Sequence, residues 1–193
     1  MTKWLSHRMV ERGIIKEEEQ ELYQFGIRNG MILLLNVVTA LVIGLLTEQL
    51  AVVAVFTLSF MVLRSYTGGY HSDSRIFCYL GSNLVLLVPV YTQAVFYKTS
   101  LAWLLAVLLV SAGIIFLLSP MHSKNRKLDK EEQKHFGRKA RLIAALELAV
   151  LGILWHADQI PYAYAVYTGI CITALFMLVG KAQLWIQSHT ENG

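Results

Sequence analysis

Charge is scarce in this chain. Asp, Glu, Lys and Arg make up 16% of its 193 residues, where a soluble domain carries about 25%. Hydrophobic residues reach 55% and the mean hydropathy is +0.50. That balance excludes an ordinary water-soluble globule and points to lipid as the solvent. Cysteine is nearly absent. Cys78 and Cys171 are too few for a disulfide framework, and Cys171, inside the apolar run TGICITALFMLVG, reads as a small hydrophobe. Proline occurs only at positions 89, 120 and 161, so Pro-rich linkers are excluded. Repeats and low-complexity tracts are missing too. Residues 1–28 contain no apolar run of the secretory-signal kind.

What is present is a series of six apolar stretches, approximately Asn29–Thr47, Leu50–Leu63, Tyr79–Tyr97, Leu101–Leu118, Leu142–Trp155 and Tyr162–Gly180. A helical crossing takes about 20 apolar residues. The second and fifth stretches are short by that count, and a re-entrant second segment stays open. Tyr79, Tyr97, Trp103, Trp155 and Tyr162 sit near segment ends, as interfacial aromatics do. The fold class predicted is all-α, a polytopic membrane protein with about six transmembrane segments. The organisation predicted is an amphipathic arm over 1–28, a membrane domain over 29–181 and a short tail over 182–193. In the arm, Trp4, Leu5 and Met9 are expected on one face of a short helix, with Arg8 and Arg12 opposite and Gly13 as its end. Glu17, Glu18 and Glu19 suit the first turn of the next helix, where the dipole favours acids.

Basic residues are distributed unevenly. With six crossings, sixteen of the seventeen Lys and Arg residues fall on the side of the two termini, and only Lys98 falls on the other. The positive-inside rule therefore predicts cytosolic N- and C-termini in a multi-pass protein of the cell membrane.

The stretch LRSYTGGYHSDSRIFC, Leu63 to Cys78, interrupts the hydrocarbon pattern on the predicted cytosolic side, where thiols stay reduced. Gly68 and Gly69 permit backbone angles closed to other residues. Ser72, Asp73 and Ser74 are each able to cap the third membrane helix. Cys78 then falls early in that helix, where the positive dipole end and the nearby Arg75 favour thiolate. On one unbroken helix, His71 would lie about 10.5 Å below Cys78, so contact requires the chain to bend between them. With the bend, His71 is a candidate general base and Cys78 a candidate nucleophile. Arg64, Arg75 or backbone N–H groups at Gly68 and Gly69 are candidate oxyanion or substrate contacts. Against this stands the plain alternative of packed residues at a membrane boundary. His71, Cys78 and His122 lack zinc-ligand spacing, so neither a metal nor a cofactor is expected.

These residues resemble a known family. Arg64, Gly68-Gly69-x-His71 and Cys78, between the second and third apolar segments, are similar to the signature of the accessory gene regulator B family. SPMHSKNRKLDKEE, Ser119–Glu132, is similar to the Pro-x-x-x-x-Asn-[Lys/Arg]-basic-Leu stretch after that family's fourth segment. The resemblance implies a membrane cysteine endopeptidase that processes a quorum-sensing propeptide in Gram-positive bacteria. It implies His71 and Cys78 as a catalytic dyad, a Cys78 acyl-enzyme, and closure of a thiolactone or lactone ring by a nucleophile inside the propeptide. The partners implied are a small amphipathic propeptide with an acidic C-terminal tail and the lipid bilayer; a homodimer is a further expectation.

Residues 119–141 hold eight basic residues. They read as a topology determinant drawn to anionic headgroups or as a dock for the propeptide's tail at Lys124, Arg126 and Lys127. Phe136 is the one aromatic residue there, so nucleic acid is not an expected partner. Asn36 and Asn83 are expected to hydrogen-bond between helices. Glu147 is expected at the interface, paired with basic neighbours. A non-enzymatic peptide transporter remains the alternative function. It would show charges along several helices, and only Glu147 qualifies.

Overall fold

A computed structural model describes residues 2–68, 75–121 and 129–190. The described elements are all helical: α1 (Thr2–Glu11), a single 3-10 turn (Glu17–Glu19), α2 (Gln20–Leu46), α3 (Leu50–Thr67), α4 (Arg75–Tyr91), α5 (Gln93–Lys98), α6 (Leu101–Leu118), α7 (Lys130–His156) and α8 (Ile160–Thr190). Four of these helices are long and apolar enough to cross a membrane, α2, α3, α6 and α8, and a shorter apolar helix runs over Gly81–Tyr91. Together with large outward apolar side chains, such as Leu109 at 71% and Leu117 at 83% exposure, they describe a membrane protein. In water such surface would aggregate, whereas in a bilayer it meets its own kind.

The chain forms two compact units, residues 1–39 and 40–193. In the first, Gly13 at φ +66° ends the N-terminal turn, as expected of glycine. The expected division of α1 into an aromatic and a basic face is not what forms. The Arg8 guanidinium lies 5.2 Å from the centre of the Trp4 ring, because residues four apart share a helix face. Glu19 Oε2 accepts the backbone N–H of Lys16 at 3.3 Å, closing the entry into α2.

In the second unit α8 is the central element, packed against α3, α6 and α7. One cluster gathers Val52, Val53 and Phe56 of α3 with Leu86 and Val90 of α4 and Ala165 and Ile172 of α8. The other joins Leu63 of α3, Leu108 and Ile115 of α6, Ala144 of α7 and Val166, Ile170 and Met177 of α8. Small residues let the backbones approach. A Cβ on Gly169 of α8 would fall 2.6 Å from Ser59 Oγ on α3, the close fit that membrane helix pairs favour. Tight turns join α2 to α3 and α7 to α8. Each has one acidic residue at φ +56°, Glu48 or Asp158, followed by a glutamine whose N–H closes onto the preceding helix: Gln49 to Gly44 O and Gln159 to Leu154 O, both 2.9 Å.

Every apolar stretch but Leu101–Leu118 differs in extent from the sequence reading, α2 starting earlier at Gln20 and α8 running on to Thr190. α3 is one unbroken 18-residue helix, long and apolar enough for a crossing. The stretch Tyr79–Tyr97 breaks after Tyr91 and resumes as α5. Pro89 lies within the last turn of α4 and removes a backbone donor there. Thr92 Oγ1, just past the break, bonds both Val88 O and the Tyr164 hydroxyl. α7 begins at Lys130, well before Leu142, so the latter part of the basic stretch is helical. Its start is fixed by Glu132 Oε2, which accepts the N–H of Asp129 at 3.3 Å, a reciprocal cap.

The polar residues also depart from expectation. Asn83 Oδ1 is buried without a hydrogen-bond partner among the described residues, so the interhelical bond expected there is not made by that oxygen. Glu147 is not paired with Arg141. Its Oε2 accepts Ser59 Oγ at 2.9 Å across the α3–α7 contact, while Arg141 Nε donates to Phe116 O at 3.2 Å. Cys171 is partly buried in α8 beside Ser111 and Tyr167.

Candidate functional site

The helices meet at two ends. At one, Phe96 of α5 packs on Trp155 of α7 and on Tyr164 and Tyr167 of α8. At the other, the last turns of α3 and α6 and the first turns of α7 converge, and the two sequence motifs emerge there. The junction is backbone to backbone. Met121 N–H, just beyond α6, donates to Thr67 O at the end of α3 at 2.9 Å. Gly68 follows at φ +72°, ψ −155°, a region essentially reserved for glycine. A Cβ there would lie 2.6 Å from Met121 O, so glycine is required both by its angles and by the neighbour. Gly137 on α7 closes the other side, where an added Cβ would meet Pro120 Cδ at 2.9 Å. Thr67 is fully buried beneath this junction.

Arg64 braces the same turn. Its Nη1 donates to Gly68 O at 3.1 Å, and its guanidinium sits 4.8 Å from the centre of the Phe176 ring on α8. Gly68 N–H donates back to Arg64 O at 3.3 Å as the helix cap. Of the residues singled out by sequence as oxyanion or substrate contacts, Arg64 and Gly68 are thus held together by mutual hydrogen bonds. Cys78 is the fourth residue of α4, in its first turn. Cys78 and Arg75 are described by backbone alone, whereas Gly69, His71, His122, Lys124, Arg126 and Lys127 lie outside the described residues. No group of three potential metal ligands occurs among the described residues.

Sequence reasoning counted the basic residues of 119–141 but missed the contact that one of them makes. Lys139 Nζ lies 5.8 Å from the centre of the Tyr66 ring, and Phe136 packs on the same ring, centroids 6.3 Å apart. Lys134, Arg138 and Lys139 are all exposed on α7. The signal available was the spacing of Phe136, Lys139, Ile143 and Glu147, which is helical, but it lay partly inside a stretch read as a loop.

This geometry defines a class: an all-helical membrane protein whose glycine-bearing connection after α3 is clasped to the connection after α6. The profile of the family described as Accessory gene regulator B matches residues 1–178, and the chain belongs to that family. Two AgrB-like proteins of Clostridium perfringens are similar to it. One, from strain SM101 / Type A, is 23% identical over 148 residues, covering 74% of this chain and 69% of the relative. The other, from strain 13 / Type A, is 24% identical over 131 residues, covering 65% of this chain and 61% of the relative. The accessory gene regulator protein B of Staphylococcus intermedius is 26% identical over 156 residues, 79% of this chain and 80% of that one. No solved structure matches. Family membership implies a part in accessory gene regulator quorum-sensing peptide processing.

Proposed function

We propose that this chain is a membrane-embedded cysteine endopeptidase that cleaves a propeptide on its C-terminal side and promotes closure of the product ring. The observation that carries the reading is the clasp of Met121 on Thr67 and Gly68. It ties the connection containing His71, which leads into the helix of Cys78, to the start of the basic stretch containing Lys124, Arg126 and Lys127. A nucleophile loop and a cationic loop tethered at one point suit a substrate whose scissile bond lies near an acidic tail.

In this mechanism His71 takes the proton of the Cys78 thiol. The sulfur adds to the peptide carbonyl carbon, and the carbon–nitrogen bond then breaks. The departing amine takes the proton back from His71 and leaves with the tail, and a thioester remains on Cys78. A thiol or hydroxyl within the propeptide attacks that thioester, re-forming the Cys78 thiol and releasing a thiolactone or lactone. Thioester exchange is nearly balanced, so hydrolysis must be slow. The apolar surroundings limit water, and the tethered nucleophile has a high effective concentration. The first turn of α4 favours negative charge on sulfur. Arg64 supports the site by holding the Gly68 carbonyl, and Gly69 and Arg75 are proposed as oxyanion contacts. Neither a metal nor a cofactor enters this scheme. The topology that suits it has the site and both termini in the cytosol of a bacterial cell, with the arm 1–28 and the tail 182–193 flanking the membrane domain. A homodimer is compatible with it.

The test is mass spectrometry of an acidic-tailed propeptide incubated with purified chain in lipid nanodiscs. Wild type should yield a released tail and a product lighter by one water than the hydrolysed acid. Cys78→Ala and His71→Ala should yield neither. Processing by Cys78→Ala would overturn the mechanism.

A further inference from the structure

A groove of about 780 Å³ runs along the outer seam of α3 and α7, over α8. Its walls are apolar: Ala51, Ala54, Leu58 and Val62 on α3, and Leu146 and Val150 on α7. Leu58 and Leu146 stand 67% and 56% exposed. Two features set it apart from a plain lipid-facing seam. The first is a carboxyl within it, because Glu147 lines the groove and accepts one hydrogen bond, from Ser59, at Oε2. The second is its mouth. The α7 stripe Glu147, Ile143, Lys139, Phe136 and the α3 stripe Leu58, Val62, Tyr66 step at helical spacing toward the junction. They bring the groove to Lys139 over the Tyr66 ring with Phe136 beside it. Tyr66 lies two residues before Gly68.

Besides Glu147, the acids of α7 lie in its first turn, at Glu131 and Glu132, and Glu132 Oε2 accepts the N–H of Asp129 there. Lys134, Arg138 and Lys139 are exposed on α7, and Lys139 stands over the Tyr66 ring at the mouth. An acyl chain would satisfy the apolar walls but offer no donor to the Glu147 carboxyl, a group that is expensive to keep in hydrocarbon. A peptide segment brings N–H donors along with apolar side chains. We propose that the α3–α7 groove seats an apolar peptide segment, whose acidic flank meets Lys139 at the mouth and whose backbone or side-chain donor meets Glu147. It rests on the peptidase reading only in naming the substrate as this peptide. The groove then delivers the peptide beside the Gly68 junction.

The experiment uses the full chain carrying Cys78→Ala, in phosphatidylcholine nanodiscs with and without phosphatidylglycerol. Benzoylphenylalanine replaces Leu58 or Leu146, with Leu109 on α6 as the control position. The probe is a synthetic peptide with an apolar segment of about twelve residues, matching the roughly 17 Å from Ala51 to Val62 along α3, followed by several glutamates. Photolabelling is expected at positions 58 and 146 and not at 109. Lys139→Glu should lower it roughly fivefold, the size of one lost interfacial ion pair, and a lysine-tailed probe should restore it. Labelling equal at all three positions, or insensitive to the sign of the tail, overturns the proposal. Photoreactive phosphatidylglycerol that labels 58 and 146 and is not displaced by the peptide overturns it in favour of a lipid seat. Propeptide cleavage is scored separately on the wild-type chain. Cleavage without groove labelling sinks the groove alone, whereas groove labelling without cleavage sinks the peptidase reading alone.

Discussion

Replacing Gly68 by alanine tests the junction at its tightest point. Two effects add. The backbone at φ +72°, ψ −155° disfavours any side chain, at about 1–3 kcal/mol. The new methyl would also stand 2.6 Å from Met121 O, which is backbone and cannot swing aside. Relief requires Met121 to retreat, sacrificing its hydrogen bond to Thr67 O, worth about 1 kcal/mol. The junction should therefore loosen by about 2–4 kcal/mol, roughly thirty- to several-hundred-fold in its closed-to-open ratio. The cores beneath it, around Phe56 and Met177, are untouched, so the opening is local. The assay is the initial rate of propeptide cleavage in nanodiscs, with circular dichroism as the fold control. A fall of at least tenfold is expected at unchanged helix content. Gly137→Ala, which crowds Pro120 from α7 without altering Gly68, should lower the rate in the same direction. Wild-type rates in both variants would refute the clasp as the organiser of the site.

Three further outcomes follow from the packing. Ser59→Ala removes the bond to Glu147 and should lower stability by about 0.6 kcal/mol, the mean for an interhelical bond in lipid, measured by reversible unfolding in mixed micelles. Gly169→Val places a branched side chain where Ser59 Oγ and Cβ lie within 2.6 and 3.2 Å of a bare Cβ. It should destabilise the α3–α8 pair by about 1–3 kcal/mol, visible as a lower melting temperature. Cysteines placed at Lys98 and Lys139 in a Cys78→Ala, Cys171→Ala background should differ in whole cells, with an impermeant maleimide labelling position 98 and not 139. The reverse pattern would invert the proposed topology.

Much of the scaffold was legible because hydrocarbon-length apolar runs follow from composition alone. Leu101–Leu118 was read with the ends of α6, and Gly13 was read as a helix stop. The rest was obscured by long-range contacts. The break after Tyr91 depends on Thr92 finding Tyr164, 72 residues away. The upstream reach of α7 was masked by its charge, although Asp129 and Glu132 carry a capping signature. Glu147 looked interfacial when counted from Arg141, but the helix runs on and turns it toward Ser59 on α3. At the site, the glycine, histidine and cysteine pattern was visible as chemistry. That Thr67 and Gly68 would meet Met121 was not, since nothing in either segment names its partner.

The most direct measurement is the intact mass of the purified chain after brief incubation with propeptide and acid quench. The account predicts a wild-type adduct equal in mass to the propeptide less its released tail, mapped to Cys78 and discharged by hydroxylamine. It predicts no adduct on Cys78→Ala. Tail release without any acylated chain under rapid quench, or an adduct that persists in Cys78→Ala, would contradict it.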